Sequence, residues 1–112
     1  MELLLTVEDH FLIKGRGLVV LPWLDYPENR RFKSFSDEVV IRRPDETEER
    51  CLGYFLNMHL NFGSRGSKTV ISLQFPEGTK ETVPIGSQIF ASEGIWQKLQ
   101  GEVPNKLEEA DV

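Results

Sequence analysis

Apolar and polar residues alternate along most of this chain with the period of two that marks strands, not the 3.6 that marks helices. Leu3, Leu5 and Val7 open the pattern, and Phe11 and Ile13 resume the same parity after Asp9. Gly15 and Gly17 then frame Arg16, which predicts a bend or bulge, because such a backbone needs φ values that a β-carbon penalises. A second strand follows to Leu21, where Pro22 cannot donate to a ladder. Asp37 to Arg43 reads as a short strand with Val39 and Ile41 inward, closed by the turn Pro44-Asp45-Glu46-Thr47. Arg50 to Phe62 is the longest strand predicted. Leu52, Tyr54, Leu56, Met58, Leu60 and Phe62 share one parity and are expected to line the core. After the flexible Gly63–Ser67 connection, Thr69 to Phe75 places Ile71, Leu73 and Phe75 on one face. Thr82 to Phe90 is the last strand, interrupted at Gly86.

Between Trp23 and Ser36 the alternation fails. Pro22 at its edge, Pro27 within it and four scattered rings, Trp23, Tyr26, Phe32 and Phe35, predict a long loop, and long loops in compact domains often carry function. Near the C-terminus Ser92 is placed to cap a short helix from Glu93 to about Gln100, with Ile95, Trp96 and Leu99 on its inner face and Gly101 as its stop. No helix stands between strands, so βαβ units are excluded. The expected fold is all-β: a small antiparallel β-barrel of five to six strands with a short C-terminal helix, a closure that hides sheet edges. The expected organisation is a barrel over 1–92, a helix over 93–101 and a disordered acidic tail over 102–112.

The chain has 112 residues, 39% apolar and 28% charged, which suits one soluble domain. No apolar run approaches the roughly 18 residues of a membrane span, and the first residues lack the basic start of a signal peptide. A single cysteine, Cys51, cannot form an internal disulfide, so a reducing compartment, the cytoplasm, is expected. Thirteen Lys and Arg against 18 Asp and Glu leave a net charge of −5, which argues against non-specific binding along a nucleic-acid backbone. The cations are not evenly spread: Arg30, Arg31 and Lys33 sit among the rings of the long loop.

Three segments resemble the second, β-barrel domain of elongation factor Tu and related translational GTPases. They are Val7-Glu8-Asp9 through Phe11, Ile13, Gly15-Arg16-Gly17 and Val19; Leu52-Gly53-Tyr54 through Met58-His59; and Ile85-Gly86-Ser87-Gln88-Ile89-Phe90-Ala91. The resemblance implies a barrel of that type. It also implies a pocket for an RNA end, to which Ile13, Gly15 and Val19 correspond. The family adds a carboxylate and an arginine from a later strand. Asn57 and Leu60 stand there, so the amide keeps some hydrogen-bonding capacity and the cation is lost. GTP binding is not expected of this chain, because Gly63-Ser64-Arg65-Gly66-Ser67-Lys68 has the wrong spacing for a phosphate loop and precedes a strand.

No catalytic constellation emerges. His10 and His59, the two histidines, form no metal-ligand spacing with Cys51. Glu8 and Asp9 are adjacent on a strand and point to opposite faces. Neither a metal nor a cofactor is expected. What remains is a non-enzymatic binding module. Its expected partner is a protein or a second copy, met through Trp23, Tyr26, Arg30, Arg31 and Lys33, residue types that carry interface energy. The alternative is an RNA end or the translation machinery, met through Ile13, Gly15, Val19 and Asn57.

Overall fold

Val7 and Glu8 split the first run of alternating residues into two strands. In the computed structural model, which describes residues 1–102, these are β1 (Glu2–Thr6) and β2 (Asp9–Ile13). The hydrogen bonds at the split run both ways. Val7 N–H donates to Ser87 O, the Val7 carbonyl accepts from Gly86 N–H, and Glu8 N–H donates to Leu21 O, all at 2.8 Å. The chain therefore passes from one end of the sheet to the other within two residues.

Five further strands complete the sheet: β3 (Gly17–Asp25), β4 (Phe35–Arg42), β5 (Glu48–Asn61), β6 (Ser67–Phe75) and β7 (Gln88–Ala91). The spatial order is β1-β7-β4-β5-β6-β3-β2, with every pairing antiparallel. The result is a curled, barrel-like sheet, as the alternation predicts. α1 (Glu93–Leu99) follows β7 directly, and Ser92 Oγ accepts from Ile95 N–H at 3.3 Å to cap it.

The concave side holds the core. Leu18, Val20, Val39, Ile41, Phe55, Ile71, Leu73, Phe75 and Ile89 are almost wholly removed from water there, and Ile95 and Leu99 of α1 join them. The bend before β3 behaves as its glycines suggest, with φ of +82° at Gly15 and +97° at Gly17. A β-carbon on Gly17 would collide with the Phe75 carbonyl and lie 2.6 Å from Pro76 Cα.

Four expectations are corrected. The first concerns β5, whose apolar stripe faces outward. Gly53 and Phe55 are buried, while Leu52 and Tyr54 are 44% and 38% exposed. Register decides this: β4 turns Val39 and Ile41 inward and pairs them with Cys51 and Glu49, and it pairs Phe35 with Phe55. The odd residues of β5 must follow them. Second, the Trp23–Ser36 loop is shorter, because β3 runs on through the cis Leu21–Pro22 bond to Asp25 and β4 starts at Phe35. An irregular register between Val20 and Leu24 absorbs the proline. Third, the last strand covers only Gln88–Ala91. Thr79 and Thr82 hydrogen-bond each other, Pro84 interrupts and Gly86 takes a φ of +94°, so a turn replaces its first half, though Val83 stays buried. Fourth, Glu102 does not belong to a loose tail: it exchanges two backbone bonds with Arg31, of 2.8 and 2.9 Å. The rest of the expected tail, 103–112, lies outside the described residues.

Candidate protein-binding surface

The rings of the loop after β3 form a plug. Tyr26, Phe32, Phe35 and Phe55 make a chain of aromatic contacts with centroids 6.0, 5.9 and 4.6 Å apart, the last pair stacked at 13°. Phe32 is 4% exposed, and Tyr26 and Phe35 pack on the core. Trp23 is half-buried and lies outside that core cluster. Arg30, Arg31 and Lys33 remain in solvent. The loop thus separates the residue types the sequence interleaves, rings inward and cations outward. Arg31, Lys33 and Lys98 line a hollow of about 460 Å³ beside Phe35, which Glu102 also borders. Lys98 sits 5.1 Å from the Phe35 ring centre.

The outward face of the sheet is more apolar than the loop. Pairing places Phe11, Val19, Gln74 and Tyr54 in one row across β2, β3, β6 and β5. Val19 and Gln74 at its centre are shut off from water, while the two rings at its ends are 36% and 38% exposed. Gln74 Nε2 donates to Ser72 Oγ at 2.8 Å, so two buried polar groups satisfy each other beneath this face. Leu52, Leu56, Met58 and Leu60 continue it along β5, and Phe62 at its end is 50% exposed. The alternation alone assigns this stripe to the core. The signal against that reading is the run from Cys51 to Leu56, apolar or glycine on both parities, the mark of a strand covered on two faces.

Ile13, Gly15, Val19 and Asn57 do not converge. Ile13 pairs with Gly17, two residues from Val19, so Ile13 and Val19 share the outward face. Asn57 pairs with Ile71, on the parity opposite to Tyr54 and Gln74, and points to the other side of the sheet. Gly15 is at the exposed bend.

Cys51 and Asp45 depart from their ordinary titration. Burial pushes the Cys51 thiol up, and the nearby Glu49 carboxylate adds to it, which makes the thiolate scarce at neutral pH. Hydrogen bonds from Thr47 hold the Asp45 carboxyl below its ordinary value, a turn effect. His10 Nδ1 donates to the Val83 carbonyl at 2.8 Å, and His59 Nδ1 lies 3.3 Å from Thr69 Oγ1. Among the described residues no three His, Cys, Asp or Glu side chains gather as a metal site, and no helix is long and apolar enough to cross a membrane.

Set against known proteins, the chain matches no family model, no curated protein and no solved structure.

Proposed function

We propose that this chain is a non-enzymatic binding module that meets a protein partner, or a second copy of itself, through the outward face of β5. The observation that carries the reading is the pair Leu52 and Tyr54, 44% and 38% exposed on a strand whose inward residues Gly53 and Phe55 are buried. Large apolar side chains gathered on one outer face are what an interface core requires. The aromatic plug takes Tyr26 out of direct contact and leaves Arg30, Arg31 and Lys33 as exposed charges on the loop, where charges influence association rate and orientation more than affinity. The single cysteine, Cys51, supports a cytoplasmic setting.

A second reading, binding of an RNA end or of the translation machinery, draws on Arg31, Lys33 and Lys98, three cations beside the Phe35 ring. Base stacking on a ring next to cations is how single strands are held. Capture from native lysate separates the two. The first reading expects capture that survives RNase and is lost in a Leu52→Glu, Tyr54→Glu double variant. Capture abolished by RNase and by Arg31→Ala with Lys33→Ala, and indifferent to Leu52 and Tyr54, would establish the second and reject the first.

A further inference from the structure

The β5–β6 hairpin outruns its neighbours. Phe62 N–H donates to Gly66 O at 2.8 Å, in the register that pairs Leu60 with Lys68, Met58 with Val70 and Leu56 with Ser72. In an antiparallel ladder successive residues point their backbone groups to opposite sides. Residues 56, 58, 60 and 62 therefore bond β6, and Asn57, His59 and Asn61 turn their N–H and C=O groups away from it. On that side the partner is β4, which begins at Phe35 opposite Phe55. Beyond Phe55 no described strand pairs with those three residues, so six ladder groups lie on an open edge.

Open edges in natural sheets are usually guarded by charge or proline. From Cys51 to Phe62 there is no Asp, Glu, Lys, Arg or Pro. The edge sequence is also nearly palindromic about His59: Met58 and Leu60 flank it, then Asn57 and Asn61, then Leu56 and Phe62. We propose that two copies of the chain pair antiparallel along this edge, with a two-fold axis at His59. The inference rests on the reading of the chain as a binding module and names its occupant.

The register follows from the free groups. Asn57 opposes Asn61 of the second copy, His59 opposes its own counterpart, and Asn61 opposes Asn57, which completes six backbone hydrogen bonds. The outward side chains then meet as Met58 with Leu60 and Leu56 with Phe62, so the two apolar stripes run side by side across the seam. The Met58–Leu60 pairs fall at the non-hydrogen-bonded positions, where side chains approach most closely. The paired window closes where it must: Phe62 is followed by the turn at Gly63–Arg65, and Leu56 is preceded by Phe55, which β4 already holds. Charge adds no repulsion at this seam. Each copy carries −5, and this edge segment adds no charged Asp, Glu, Lys or Arg to the contact. The symmetry is isologous and closes at two copies.

The test is sedimentation of the purified full chain over a range of concentrations, with amide exchange read at the same concentrations. A mass of twice 12.9 kDa is expected, with exchange at Asn57, His59 and Asn61 slowing as the dimer fills. His59→Asp and His59→Lys each set like charges opposite one another and should lose the dimer, whereas an equimolar mixture of the two should recover it as a mixed pair. That recovery also shows that both variants fold. A monomer at every concentration, exchange at the three amides indifferent to concentration, or a dimer that either charged variant retains would overturn the proposal. Leu52 and Tyr54 lie outside the seam, so a monomer that still captures a protein through them rejects the dimer and leaves the binding reading standing.

Discussion

Phe35 and Phe55 stack with ring centres 4.6 Å apart and planes 13° apart, at the point where β4 begins and beyond which β5 keeps only β6 as a neighbour. Both consequences of β5 originate there. The stack fixes the odd residues of β5 inward and so sends Leu52, Tyr54, Leu56 and Met58 outward. It also marks the last residue of β5 with a strand on each side.

Phe55→Ala should therefore cost about 3–5 kcal/mol, the range for removing a buried ring. Leu52→Thr, next to the buried Gly53 but on the outer face, should stay within about 0.5 kcal/mol of wild type. Urea unfolding of both variants checks the parity. The reverse ranking would mean that the strand turns the other way.

The two glycines of the first bend separate strain from collision. Both have positive φ, but a β-carbon on Gly15 meets nothing within 4 Å, while one on Gly17 strikes the Phe75 carbonyl. Gly15→Ala should lose about 1–2 kcal/mol from the left-handed backbone alone. Gly17→Ala should lose clearly more. Equal melting temperatures for the two would remove the close approach of β3 to the end of β6.

Cys51 should resist alkylation. Its folded pKa is raised first by burial and then by Glu49, so the neutral thiol favours the folded state. That contribution is complete below the unfolded pKa and fades as pH climbs through the higher folded one. The expected results are slower reaction with iodoacetamide at mildly alkaline pH than in the urea-unfolded chain, and stability that declines on the alkaline side. Equal rates in the two states would show an open thiol.

Ser92→Ala should cost about 1 kcal/mol through loss of the bond that Ser92 Oγ accepts from Ile95 N–H. Thermal unfolding measures this, with Ser92→Asp as the variant that retains a cap. A loss that Ser92→Asp fails to restore would put the role of Ser92 elsewhere than the helix start.

Much of this architecture is legible in the alternation of residues. The strands around Val39, Ile41, Ile71 and Leu73, the Gly15–Gly17 bend and the Ser92-capped helix follow from local chemistry. The face of β5 does not, because Leu52 to Phe62 and Cys51 to Phe55 are both apolar on their own parity, and only pairing with β4 selects between them. The outward stripe was hidden for the same reason: a period of two names a face without saying which side of the sheet it covers. The aromatic loop misleads in the opposite sense. Tyr26, Phe32 and Phe35 have the composition of an interface, and they pack on the core instead.

The central claim is that contact is made through the outer face of β5 and not through the cations of the loop. The most direct measurement places a photo-crosslinking amino acid at position 52 in one protein and at position 30 in another, each irradiated in native lysate with and without RNase. The account expects a discrete protein adduct from position 52 that survives RNase and disappears when Tyr54→Glu is added, with little adduct from position 30. Adducts from position 30 alone, or adducts that RNase removes, would contradict it.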